Sequence, residues 1–94
     1  MSNHQTVGEF LDKHIEYLKS MNRRGYAKTF EELRTSMLGY RKSLDFFFSD
    51  IDLDWLKSYE AHLKSKNYAV NSIGIRFRTL RVLYNYAITC KVVK

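Results

Sequence analysis

Apolar side chains recur along this chain at spacings of three and four, and no stretch alternates as a half-buried strand would. The first stripe is Phe10, Leu11, Ile15, Leu18 and Met21, which predicts a helix over residues 6–21. Thr6 and Glu9 have the spacing of a capping box, in which a hydroxyl and a carboxylate each satisfy a free amide at a helix start. Asn22, Arg23, Arg24 and Gly25 read as a stop, because Asn and Gly accept left-handed backbone. Phe30, Leu33, Met37, Tyr40 and Leu44 form a second stripe and predict a helix over residues 26–44. Gly39 inside it costs about 1 kcal/mol relative to Ala, which points to close packing or a slight bend.

Residues 45–50 carry three consecutive phenylalanines, Phe46, Phe47 and Phe48, which cannot share one helix face. The loop is expected to fold back and plug the end of the bundle, since large contiguous apolar patches are rare on monomers. Asp52 then caps a third helix with Trp55, Leu56, Tyr59 and Leu63 on its apolar side, ending around residues 64–67. A fourth runs over residues 70–88 with Ile73, Phe77, Leu80, Tyr84, Ala87 and Ile88 inward. No proline interrupts any of them. Ninety-four residues leave room for one hydrophobic core, so the reading is all-α, a compact four-helix bundle in a single domain. The chain stops at Val92, Val93 and Lys94 without a tail, as a piece cut from something longer would.

Composition adds a partner. No apolar run is long enough to span a bilayer, and the N-terminus has no signal-peptide pattern. The single cysteine, Cys90, excludes an internal disulfide, suits a reducing compartment and reads as a small helix-packing residue. Sixteen Lys and Arg against ten Asp and Glu give a formal charge of +6, which favours a polyanion, nucleic acid before membrane.

The charges are sorted by helix. Residues 19–44 hold Lys19, Arg23, Arg24, Lys28, Arg34, Arg41 and Lys42 against Glu31 and Glu32. Residues 61–94 hold Lys64, Lys66, Arg76, Arg78, Arg81, Lys91 and Lys94 and no acid. Helix one instead has Glu9, Asp12 and Glu16 against Lys13, and residues 45–60 have five acids against Lys57. If helices two and four flank one surface, the domain has a basic face and an acidic back, and duplex DNA is the fitting ligand. Gly74, Arg78, Arg81 and Asn85 share one stripe of helix four, with Asn71 close by. Arg reads guanine and Asn reads adenine, while Gly lets a backbone approach. Lys28, Arg34, Thr35 and Lys42 lie off the core stripe of helix two and join the candidate set. The same stripes would serve as solvated helix faces, and only the alternation of charge favours DNA.

Several stretches, taken together, resemble the N-terminal SAM-like core-binding domain of tyrosine recombinases, the phage integrase family. Arg24-Gly25-Tyr26-Ala27-Lys28-Thr29-Phe30 is similar to the family's opening of helix two, and residues 40–47 resemble its Leu-x-x-Phe ending. Residues 51–63 look like its third helix, and Asn71-Ser72-Ile73 stands where the family has Asn-Thr. Leu80-Arg81-Val82-Leu83-Tyr84-Asn85-Tyr86-Ala87-Ile88 closely resembles its Leu-Arg-x-x-Phe/Tyr-Asn-x-Ala-Ile helix. There are two departures: Ala69 replaces a Ser at the cap of helix four, and Asn67 replaces a Gly at the turn. The resemblance implies half of a clamp around double-stranded DNA, working in DNA integration and recombination. Its partners would be a catalytic domain of the same parent chain and other recombinase protomers on the DNA. It implies a cytoplasmic protein of bacterial or phage origin. The nucleophilic Tyr and its activating Arg, Lys and His belong to that separate catalytic domain. None is assigned here, and at least four of the seven tyrosines read as helix-core positions.

Other chemistry finds little support. His4, His14 and His62 have no ligand spacing, so neither a metal nor a cofactor is expected. Asp50, Asp52 and Asp54 alternate as a calcium loop begins, but Leu53, Trp55 and Leu56 occupy ligand and turn positions, leaving a loop and a cap. The competing reading is a helical protein-interaction module that docks through Phe46, Phe47 and Phe48. A helix-turn-helix regulator ranks below it, because no short helix pair with a Gly-centred turn is present.

Overall fold

Helix α1, Val7–Ser20, begins where the capping box places it. The Glu9 amide donates to the Thr6 hydroxyl at 3.1 Å, and the Thr6 amide donates to the Glu9 carboxylate at 3.0 Å. The computed structural model describes residues 5–90, and among them it has helices and no strand. After α1 come α2, Arg24–Arg41; α3, Leu53–Ser65; and α4, Val70–Thr89, with one 3-10 turn at Phe48–Asp50 before α3. The radius of gyration is 13.1 Å, the size expected of a compact domain near this length. The fold is the all-α four-helix bundle read from the pattern.

The turns differ in detail. Asn22 takes the left-handed conformation (φ 61°), and α2 starts two residues later, so Gly25 lies inside the helix. Lys42 (φ 65°) ends α2 three residues earlier than the apolar stripe implies. Leu44 still reaches the core, but from the loop. Gly39 is exposed and a Cβ there would meet nothing, so close packing does not explain it. The glycine under pressure is Gly8, where an added Cβ would stand 2.8 Å from the Cβ of Leu44.

That approach exists because the loop after α2 caps α1. The Val7 amide donates to the Phe46 carbonyl at 2.7 Å, and the Gly8 amide to the Leu44 carbonyl at 3.1 Å. Two amides that the helix itself cannot satisfy are thereby paired. Phe46 and Phe48 turn inward as a plug, Phe48 lying edge-on to Phe10 and Tyr84 with ring centres 5.5 and 5.7 Å away. Phe47 points outward. Asp50 accepts from the Phe47 amide at 2.9 Å, and Asp52 caps α3 by accepting from the Trp55 amide at 2.8 Å.

α1 and α2 pair most extensively, and α4 packs across α2 and α3. Phe30, Leu11, Leu33, Met37, Tyr59, Leu63 and Leu83 are fully buried. Ser36 and Tyr59 share a buried hydroxyl–hydroxyl hydrogen bond of 2.6 Å that ties α2 to α3. Two expected core residues are not core: Met21 and Ile88 are exposed, the first just past α1 and the second on the last turn of α4. Tyr40, Leu56, Phe77 and Tyr84 are half-buried at the rim of the core. Val7, His14, Ala27, Thr79 and Leu83 are buried instead. Cys90 is not a packing residue either; it is exposed and ends α4.

Candidate nucleic-acid interface

On α4, Asn71, Gly74, Arg78, Arg81 and Asn85 are all exposed, on the side of the helix away from Ile73, Leu80 and Ala87. A Cβ added to Gly74 would meet nothing, so the residue answers no packing need inside the domain. Arg81 and Asn85 border a hollow of about 270 Å³ whose floor is Ile51, Leu56, Phe77 and Leu80. On α2, Lys28 and Thr35 are exposed on its outer side, and exposed Lys42 lies at its C-terminal end. Fourteen residues separate Lys28 from Lys42, roughly 21 Å along the axis at 1.5 Å per residue. The Thr35 hydroxyl donates to the Glu31 carbonyl at 3.1 Å, which leaves its oxygen able to accept.

Arg34 sits differently. Its Nε donates to Asp12 at 2.7 Å, so this guanidinium faces α1 and is partly neutralised. Two further pairs cross helix interfaces: Lys19 with Glu31 at 3.1 Å and Arg76 with Glu32 at 3.9 Å. Sorting of charge by helix therefore does not become a clean basic face and acidic back. Asp12 and Glu16 line a hollow with Lys19, Glu31 and Arg34, so acids of α1 meet bases of α2 in the groove between them. Among the described residues, Lys28, Lys42, Arg78 and Arg81 make no ion pair, and they lie on or at the end of α2 and α4. Those four carry positive charge that no carboxylate offsets.

The residue that joins the two helices was not in the sequence-derived set. Arg76 projects from α4 towards α2, its guanidinium 6.0 Å from the Tyr68 ring centre and its side chain largely buried. With Lys28, Glu32, Thr35 and Tyr68 it lines a hollow of about 320 Å³. At ~100° per residue Arg76 points well away from the Arg78 stripe, which is why a search along that stripe passes over it. Its signal was membership of a helix with six bases in its neighbourhood and no acid of its own.

The model of the phage integrase SAM-like domain family matches residues 6–94. This chain belongs to that family. No curated protein and no solved structure matches it. The family is the SAM-like N-terminal domain of phage integrases, the tyrosine recombinases, and that region is normally non-catalytic.

Both departures from the family's pattern have structural consequences in this integrase SAM-like domain. Asn67 takes the left-handed conformation (φ 63°) that a Gly would otherwise supply. Ala69 offers no side chain to the first amides of α4, which therefore lack a side-chain cap. Of the tyrosines, only Tyr59 is fully buried and Tyr40 and Tyr84 are half-buried, fewer core positions than the pattern implied. Burial is the first cause that pushes the Tyr59 and Tyr86 hydroxyls up, the opposite of what activates a nucleophile. His14 is packed between Phe30 and Tyr86, and His62 lies against Tyr40, while His4 falls outside the described residues. No helix among the described residues is long and apolar enough to cross a membrane.

Proposed function

We propose that this domain is the DNA-gripping, non-catalytic part of a tyrosine recombinase, binding one side of a duplex through α2 and α4 during integration and recombination. The observation that carries the reading is that Lys28, Lys42, Arg78 and Arg81, on or at the end of these two helices, make no ion pair among the described residues, within a chain of the integrase SAM-like family. Bases that no carboxylate offsets release condensed counterions from a phosphate backbone without first breaking an internal pair. Arg78, Arg81 and Asn85 would meet base edges or phosphates, and Asn71 and Gly74 would lie near a phosphate at the uncapped start of α4. Lys28, Thr35 and Lys42 would contact the backbone from α2. Arg34 contributes least, because Asp12 already holds it.

The rest of the clamp and the nucleophile would come from a catalytic domain of the same parent chain, acting with other recombinase protomers on the DNA in a bacterial or phage-infected cytoplasm. The competing interaction-module reading keeps only Phe47 of its three phenylalanines at the surface, since Phe46 and Phe48 are inside the core. The test is a salt titration of binding to a random-sequence duplex. Being half of a clamp, the domain should bind with Kd on the order of 10⁻⁴ to 10⁻⁶ M at physiological salt, weakening steeply as salt rises. Binding that ignores salt, or none at all, would contradict the reading.

A further inference from the structure

The seam between α2 and the start of α4 holds an arginine whose hydrogen-bonding capacity is largely unused. Arg76 has five N–H donors to place, and a buried guanidinium normally pairs them with acceptors. Its Nε is buried with no partner, and its one carboxylate, Glu32, stands 3.9 Å from a terminal nitrogen, at the outer limit of an ion pair. The Tyr68 ring lies 6.0 Å from the guanidinium carbon, and the side chain is only 17% exposed, so it cannot swing freely. The position is fixed while the partner is poor.

The hollow beside it, about 320 Å³, is also lined by Lys28, which has no ion pair among the described residues, by Thr35, and by Glu31, whose carboxylate is already paired with Lys19 at 3.1 Å. Glu32 is half-exposed and can turn to solvent. An anion with several oxygens would complete this set, because a guanidinium-bearing and an ammonium-bearing residue line one space from two helices. We propose that this hollow seats one backbone phosphate of the duplex, held by Arg76 and Lys28, and that Glu32 occupies Arg76 until the phosphate displaces it. The inference rests on the DNA-binding reading above and adds a specific phosphate seat and an acidic residue that lowers affinity.

The test compares Glu32→Gln, Arg76→Gln and the unaltered chain on one random-sequence duplex across a salt series, with circular dichroism to follow folding. Glu32→Gln removes the competitor and should tighten binding by about 1.5- to 5-fold, the range of a half-exposed charge pair. Arg76→Gln should weaken binding and lower the slope of log K against log salt by about one unit, the signature of one lost phosphate contact. If Arg76→Gln unfolds, Lys28→Gln on the exposed side of α2 carries the same expectation. Unaltered affinity and slope in Glu32→Gln and in the basic-residue variant would overturn the seat, while binding by the unaltered chain would keep the DNA reading intact. Loss of all binding by the unaltered chain would remove both.

Discussion

The Nε of Arg34 and a carboxylate oxygen of Asp12 lie 2.7 Å apart across the α1–α2 interface, which makes this arginine a helix-pairing residue before it is a DNA ligand. Both side chains are about half-exposed, and such pairs contribute at most about 1 kcal/mol. Asp12→Ala should therefore lower stability by less than that in chemical denaturation, and should leave DNA affinity equal or slightly higher as Arg34 is released. Weaker binding by Asp12→Ala would place α1 in the interface.

A second prediction concerns the buried pair of hydroxyls. Ser36 and Tyr59 satisfy each other at 2.6 Å inside the core. Tyr59→Phe keeps the ring but leaves the Ser36 hydroxyl without its partner, at a cost of about 1–3 kcal/mol. The Ser36→Ala, Tyr59→Phe double variant should recover part of that loss, because no polar atom is then stranded. Equal stability of Tyr59→Phe and the double variant would show that stranding the Ser36 hydroxyl costs nothing.

Acid should weaken the fold through His14. Burial against Phe30 and Tyr86 holds its imidazole below the ordinary value of 6.5, and Nδ1 has no partner to favour the charged form. The folded chain then binds fewer protons than the unfolded one, so stability is fully present above 6.5 and is lost as pH falls towards the folded-state value. Glu9, also held low by its bonds to Thr6, acts in the same direction below about 4.5. Denaturation midpoints between pH 7 and pH 5 should fall for the natural chain and fall less for His14→Leu. A parallel decline in both would clear His14 of the effect.

The glycines should separate by role. Gly8→Ala forces a Cβ against Leu44 and should lower the thermal midpoint, whereas Gly39→Ala enters open space and should stabilise by about 1 kcal/mol. Gly74→Ala should stabilise similarly yet weaken DNA binding, if a DNA backbone comes close there. Unchanged binding by Gly74→Ala would leave that glycine without a role in recognition.

Those contrasts show what the pattern of residues could and could not reveal. Helix number, the Thr6–Glu9 capping box, the Asp52 cap and the inward Phe46 and Phe48 were legible, because each depends on local spacing or on the burial demand of a large apolar side chain. The end of α2 was not, since Leu44 continues the stripe while Lys42, a residue with no turn signature, takes the left-handed conformation. His14, which has no ligand spacing, proves to be packed, whereas Met21 and Ile88 continue the apolar stripes of helices that end beside them and are exposed there. For the interface, side-chain exposure followed from helix phase. Arg34's pairing and Arg76's position depend on which helix lies alongside, and no single-helix projection contains that information.

The most direct test of the central claim is the salt-dependent affinity of two double variants for one random-sequence duplex, each shown to retain its helical signal. Arg78→Glu with Arg81→Glu reverses the outer face of α4, and Glu16→Ala with Asp54→Ala removes acids elsewhere on the domain. Binding should be nearly abolished for the first and unweakened for the second. Equal binding by the two would mean that the arginines of α4 serve only solubility, and would contradict the central claim.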